Sequence, residues 1–150
     1  MSILAPIDIP QARELPAGYT IQRGTPTQAE AMHALITASL EEGHLLPRTL
    51  EDLRRHAERF LVIVSDGHVV GCAELAPLSP QVAEVRSLAV DQSARRHGVG
   101  TALVEELRGR ARREGYDQLC AFTHAPGYFI TMGFSNKTSR PASRQARVWS

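Results

Sequence analysis

The sequence predicts one α/β domain on a mixed, mostly antiparallel sheet, with a central parallel βαβ unit and helices on both faces. Three observations predict it. Apolar, β-branched runs at 60–65 and 68–76 flank Asp66-Gly67, the dipeptide of a two-residue hairpin, so strands there run antiparallel. A strand-like run at 84–90 precedes Val99, Leu103, Leu107 and Ala111 at helical four-residue spacing, and a second strand-like run follows at 118–123. A strand, a helix and a strand in that order close as a right-handed crossover with parallel strands. Finally, 150 residues, 43% hydrophobic and 22% charged, are the size and balance of a single core.

The elements follow in order. Residues 1–18 hold Pro6, Pro10 and Pro16 without a hydrophobic period and read as an N-terminal tail or arm; 19–150 read as one domain. Residues 19–23 alternate as a first strand. Thr25-Pro26 is a hydroxyl N-cap with proline at the first helical position. The helix it opens is expected to reach about residue 42, burying Ala29, Met32, Ile36 and Leu40, and to stop at Gly43. Thr49 caps a second helix running to about residue 59, with Asp52 at the third position in a variant of the capping box. Ser79-Pro80-Gln81 turns the chain into the central strand, and Asp91-Gln92-Ser93 turns it out. The third helix ends near Gly115. A short helix is expected at 125–132, closed by Gly133, and a terminal strand at 146–149. Neither an internal repeat nor a linker is visible.

Composition narrows the function. No apolar run approaches the roughly 20 residues of a membrane span, and the acid and prolines among the first residues do not suit a signal peptide. Cys72 and Cys120 read as free thiols rather than a disulfide framework, which fits a cytoplasmic protein. The six histidines (33, 44, 56, 68, 97 and 124) show no metal-ligand spacing, so no metal is expected. A net charge of +1 conceals an asymmetry: residues 1–90 balance at −4 and residues 91–150 at +5. Local basic excess suits an anionic partner. Without a long Lys/Arg run, and with 5% aromatic residues, a polyphosphate cofactor and an acidic small molecule fit better than nucleic acid.

The strongest local signal is Arg95-Arg96-His97-Gly98-Val99-Gly100, with Thr101 opening the helical period. Glycines at a helix start let ligand approach the backbone where N–H groups lack intrahelical partners, and the positive helix end favours pyrophosphate. The loop is neither a Walker loop nor a dinucleotide fingerprint, since no Lys-Ser/Thr follows and Leu103 stands where a third glycine would fall. It resembles the Gln/Arg-x-x-Gly-x-Gly/Ala motif of the GCN5-related N-acetyltransferases, with Arg95, Gly98 and Gly100 at its defined positions. The order of strands and helices resembles that family over roughly residues 19–150. The resemblance implies acetyl-CoA as co-substrate. Leu88, Ala89 and Val90 would line its pantetheine arm, and Arg95, Arg96, His97, Gly98, Val99, Gly100 and Thr101 its pyrophosphate.

Residues 125–134, Ala-Pro-Gly-Tyr-Phe-Ile-Thr-Met-Gly-Phe, resemble the family's C-terminal motif, in which a tyrosine commonly protonates the leaving thiolate. Here Phe129 holds that position and Tyr128 precedes it, pointing about 100° away on a helix. Thr123, ending the preceding strand, is the first candidate acid and Tyr128 the second; Thr123 as a helix cap is an equal reading. Glu84, placed on the Leu88 face by strict alternation, is the candidate base for the protonated amine, against the reading that it pairs with Arg86. Together, 44–48, Glu74, 83–90 and 125–129 resemble the stand-alone N-acetylglutamate synthase branch. That implies an acidic amino acid held by arginine forks, with Arg48, Arg86 and Arg147 as candidates. The expected function is acetyl transfer to a small amine such as glutamate. The expected partners are a small-molecule amine and at most a second copy of the chain, with neither nucleic acid nor membrane. The alternatives are a non-catalytic CoA-binding or regulatory module on the same fold, or acetylation of a peptide N-terminus, polyamine or antibiotic.

Overall fold

The computed structural model describes residues 15–40, 45–122 and 147–149. Its strands are β1 (Tyr19–Arg23), β2 (Phe60–Ser65), β3 (His68–Pro77), β4 (Val82–Val90), β5 (Gln118–Ala121) and β6 (Arg147–Trp149). Its helices are α1 (Ala29–Leu40), α2 (Leu50–Arg55) and α3 (Val99–Arg113). The expected helix at 125–132 and residues 1–14 of the expected arm lie outside the described residues. The chain groups into two compact units, one of residues 12–74 and 87–104, the other of 75–86 and 105–150 with 1–11.

In the first unit the sheet order is β1-β2-β3-β4. β1 pairs antiparallel with β2, from Tyr19 opposite Ser65 to Arg23 opposite Leu61, and β2 antiparallel with β3, from Phe60 opposite Glu74 to Ser65 opposite His68. Asp66 and Gly67 turn that hairpin with φ of 50° and 75°, the positive pair a type I′ turn demands. Alternation sorts the side chains to two faces. Phe60, Val62, Cys72 and Ala89 join Ala29, Met32 and Ile36 of α1 and Leu53 of α2 in one buried cluster. Gly71, on the opposite pleat from Cys72, faces α3: a Cβ there would sit 2.8 Å from Val99 Cγ1 and 3.2 Å from Leu103 Cδ1. The absent side chain lets the helix start lie close on the strand.

Two helices differ from expectation. Thr25 opens a short 3₁₀ turn at Pro26–Gln28 before α1, and the Gln28 side chain accepts a hydrogen bond from the Thr25 N–H at 3.0 Å. Ser39 rather than Leu40 is buried at the end of α1, its hydroxyl donating back to the Leu35 carbonyl at 3.0 Å. Thr49 caps α2 as expected, accepting from the Asp52 N–H at 3.1 Å. Asp52 does not complete the box, because its carboxylate takes Arg48 instead. α2 ends at Arg55, and Ala57–Arg59 form a 3₁₀ turn rather than continuing the helix.

In the second unit the order is β3-β4-β5-β6. β4 pairs parallel with β5, from Val82 opposite Gln118 to Val85 opposite Ala121, and β5 antiparallel with β6. The parallel unit foreseen from residues 84–90 and 118–123 is therefore present. Val99, Leu103, Leu107 and Ala111 are all buried. Gly115, at φ 89°, ends the third helix, the C-terminal glycine a left-handed cap requires.

Candidate active site

The segment expected to hold a cofactor begins at the exit from β4. The Asp91 N–H donates to the Val70 carbonyl at 2.8 Å, so the main chain of Asp91 faces β3. By alternation the main chain of Ala89 also faces β3, and that of Leu88 and Val90 faces the other edge. The register of β4 with β5 ends at Val85, and β4 runs on to Val90. Asp91 then caps a 3₁₀ turn, accepting from the Ser93 N–H at 3.0 Å and from the Ser93 hydroxyl. Those bonds, hydroxyl first, hold the Asp91 carboxyl below its ordinary range.

Arg96 and Gly98 take φ of 69° and 76°, and the Ala102 N–H makes the first helical bond, 2.9 Å to the Gly98 carbonyl. Gly98 is thus the N-cap, and the N–H groups of Val99, Gly100 and Thr101 have no carbonyl four residues back to accept them within the helix. Space is open where a Gly98 Cβ would stand. Positive helix end, orphan donors and an uncluttered approach fit a pyrophosphate. Arg95 folds its Nε onto the Val90 carbonyl at 3.1 Å, tying the loop to the strand it leaves. The exposed His97 ring lies 6.0 Å from that of Tyr19.

A second cluster surrounds Arg48. Its Nε donates to Asp52 Oδ2 at 2.7 Å, and its Nη1 donates to Glu74 Oε1 at 2.7 Å and to Ser87 Oγ at 2.9 Å. The guanidinium lies 5.7 Å from the centre of the Phe60 ring. Glu74 is fully buried; its Oε2 has Arg59 Nη1 at 3.9 Å and no hydrogen bond among the described residues. Burial raises the Asp52 carboxyl, but the bond and charge of Arg48 outweigh it and hold the group below its usual range. The sequence reading grouped 44–48 with Glu74 through the resemblance, but it did not foresee the ion pairs of Arg48 with Glu74 and Asp52. The available signal was an acid inside the apolar run Cys-Ala-Glu-Leu-Ala at 72–76, since a buried carboxylate demands a cation.

Ser87 is the other residue missed. Within β4 it has φ 54°, the left-handed region, where an L-residue with a Cβ is strained. Cys72 donates its thiol to the Ser87 carbonyl at 3.6 Å, and burial pushes that thiol up to about 12. A left-handed residue stands between Glu84 and Leu88, so strict alternation does not by itself carry from one to the other.

Glu84 itself is 3% exposed, opposite Cys120 in the β4–β5 register, and accepts from Arg86 Nε at 2.6 Å. The ion pair weighed against the base role is therefore present. Of the three arginines expected to grip a substrate, Arg48 and Arg86 both hold carboxylates of the chain. Arg147 lies in β6 opposite Ala121. Thr123, Tyr128 and His124 lie outside the described residues. Among the described residues no cluster of His, Cys, Asp and Glu could hold a metal ion, and no helix is long and apolar enough to cross a membrane.

Among the described residues β4 outruns its register with β5 and leads into a glycine-capped helix, and the family model for the acetyltransferase (GNAT) family matches residues 27–134. The chain belongs to that family. An N-acetyltransferase of Chlorobaculum tepidum is 32% identical over 80% of this chain and 78% of its own length. A Pseudomonas putida amino-acid acetyltransferase is 35% identical over 73% of this chain, which spans only 26% of that protein. Among solved structures, N-acetylglutamate synthase of Neisseria gonorrhoeae, complexed with coenzyme A and N-acetyl-glutamate, has a TM-score of 0.81 at 26% identity; the match covers 92% of this chain and 36% of that one. A Mycobacterium tuberculosis protein in complex with CoA and NLQ has a TM-score of 0.76 at 27% identity, covering 82% and 75%. The protein is thus a GNAT-fold, acetyl-CoA-dependent acetyltransferase.

Proposed function

We propose that this acetyltransferase acetylates the α-amino group of a small amino acid, glutamate foremost, by direct attack of the amine on acetyl-CoA. The observation that carries the reading is the Arg48 cluster, a largely buried guanidinium whose Nη2, among the described residues, lies outside the contacts to Asp52, Glu74 and Ser87. An Nη2 donor outside those contacts suits one oxygen of a substrate carboxylate. The likeness to a synthase complexed with coenzyme A and N-acetyl-glutamate supports it.

The chemistry assigns each residue a task. Leu88 and Val90 offer main-chain groups to the amides of the pantetheine arm, as a sheet edge receives an added strand. Val99, Gly100 and Thr101 offer N–H donors to the pyrophosphate, and Arg95, Arg96 and His97 add charge or donors beside them. Arg48 holds a carboxylate of the amine substrate. The amine arrives protonated, so Glu84, directly or through a water, takes one proton before nitrogen attacks the thioester carbon. A backbone N–H of the Leu88–Val90 segment steadies the oxygen as its charge develops. The C–N bond forms, the C–S bond breaks, the thiolate takes a proton from Thr123 or, failing it, Tyr128, and the second proton that nitrogen sheds on becoming the amide returns to that hydroxyl.

The test is thiol release from acetyl-CoA with a panel of glutamate, other amino acids, a peptide N-terminus, a polyamine and an aminoglycoside. Fastest turnover of glutamate, with an Arg48→Lys variant losing it mainly through KM, supports the proposal. Equal turnover of all amines sinks the preference, and no release with any of them leaves a CoA-binding module.

A further inference from the structure

We propose that Ser87 couples the two halves of the site, so that a carboxylate taken up at Arg48 and coenzyme A bound along Leu88–Val90 each tighten the binding of the other. The inference rests on the reading of Arg48 as the substrate-carboxylate ligand. Ser87 stands where the strand changes course. Its left-handed backbone, at φ 54°, is intrinsically disfavoured and persists only where its surroundings hold it. Two described groups do so from different elements: Arg48 Nη1 donates to the Ser87 hydroxyl at 2.9 Å, and the Cys72 thiol donates to the Ser87 carbonyl at 3.6 Å. The cofactor edge begins at the next residue.

Arg48 has two arrangements open to it. In the one observed, Nη1 bridges Glu74 Oε1 at 2.7 Å and Ser87 Oγ, while Glu74 Oε2 lacks a hydrogen bond among the described residues. That bare, buried oxygen invites the other: a guanidinium turned to grip both oxygens of Glu74 through Nη1 and Nη2, at the expense of Ser87. A substrate carboxylate occupying the Nη2 edge excludes the second arrangement. It thereby keeps Nη1 on Ser87 and holds the backbone in the course that presents Leu88 and Val90. Coenzyme A favours the same course from the other side. Two ligands that select one state of a shared element bind with positive, reciprocal coupling.

Coenzyme A and L-glutamate together cannot react, so the coupling is measurable by calorimetry on the full chain. Saturating glutamate lowers the Kd of coenzyme A by about fivefold or more, and saturating coenzyme A lowers that of glutamate by the same factor. Ser87→Gly accepts the left-handed backbone without offering an acceptor. Whatever its Kd for coenzyme A alone, its coupling factor falls to about one. Ser87→Asn tolerates the same backbone and restores an acceptor, and recovers coupling. Full coupling in Ser87→Gly overturns the proposal. Glutamate binding that depends on Arg48 but leaves the affinity for coenzyme A unchanged overturns the coupling alone. Glutamate binding unaltered in Arg48→Lys overturns the substrate reading and the coupling with it.

Discussion

Arg48 and Glu74 show at the residue scale what a buried charge requires. The side chain of Glu74 is 1% exposed and that of Arg48 12%, and each is tolerable only because the other is present. Arg48→Ala leaves the carboxylate buried without its main partner, and the expected loss is about 3–5 kcal/mol of stability in urea unfolding. Replacing both, Arg48→Met with Glu74→Leu, is expected to regain most of that loss, because apolar pairs of similar volume often equal a buried ion pair. The double variant should nevertheless fail to select amino acids. Recovery of stability without recovery of turnover places the pair in recognition rather than in folding. A double variant as unstable as Arg48→Ala counts against this account. The thiols behave differently: burial raises both Cys72, to about 12, and Cys120, beside Glu84. Neither should react with a thiol reagent at pH about 8 in the folded protein, and both should react on unfolding.

Where elements meet, the features that the sequence announced are those with local causes. Asp66-Gly67 forces its turn whatever surrounds it, and the strand bounds of β1 follow from alternation alone. The buried stripe of α3 follows from its four-residue spacing. The features it hid are those decided by contact. Asp52 looked like a capping-box acid and was taken by Arg48. α2 looked four residues longer than it is. Ser87 and Arg96 have no residue-type signal for φ of 54° and 69°, so neither the bend in β4 nor the loop shape could be read. Glu84 was legible as a charged residue in a strand, but its partner Arg86 was one of two open readings. Gly71 lay between these cases, a glycine inside a strand that marks close approach without saying of what. Its Cβ would meet Val99 at 2.8 Å, so Gly71→Ala must displace the first turn of α3, at a cost of about 1–3 kcal/mol. Because that turn carries the proposed pyrophosphate donors, the KM for acetyl-CoA should rise more than the KM for the amine. An equal change in both, or in neither, would separate the helix start from cofactor binding.

The whole molecule registers these local charges as a dependence of stability on pH. Asp91, bonded first by the Ser93 hydroxyl and then by the Ser93 N–H, lies below its ordinary 3.8. Asp52 also lies below 3.8, burial raising it and Arg48 more than compensating. A carboxyl with a lowered folded pKa gives stability that is complete above its unfolded value, because there both states are ionised and the folded one is better matched. As pH falls below that value the unfolded chain binds the proton first, and the advantage drains away until the folded group is protonated too. The melting temperature should therefore change little between about pH 7 and 5 and fall below about pH 4. Asp52→Asn isolates one contributor. It should melt below the parent at neutral pH, and the gap should close as the pH falls through the lowered folded pKa of Asp52, where the parent loses the same charge. A gap that stays constant across the titration would mean that Asp52 stabilises through shape rather than charge, and the Arg48 cluster would then owe its position to Glu74.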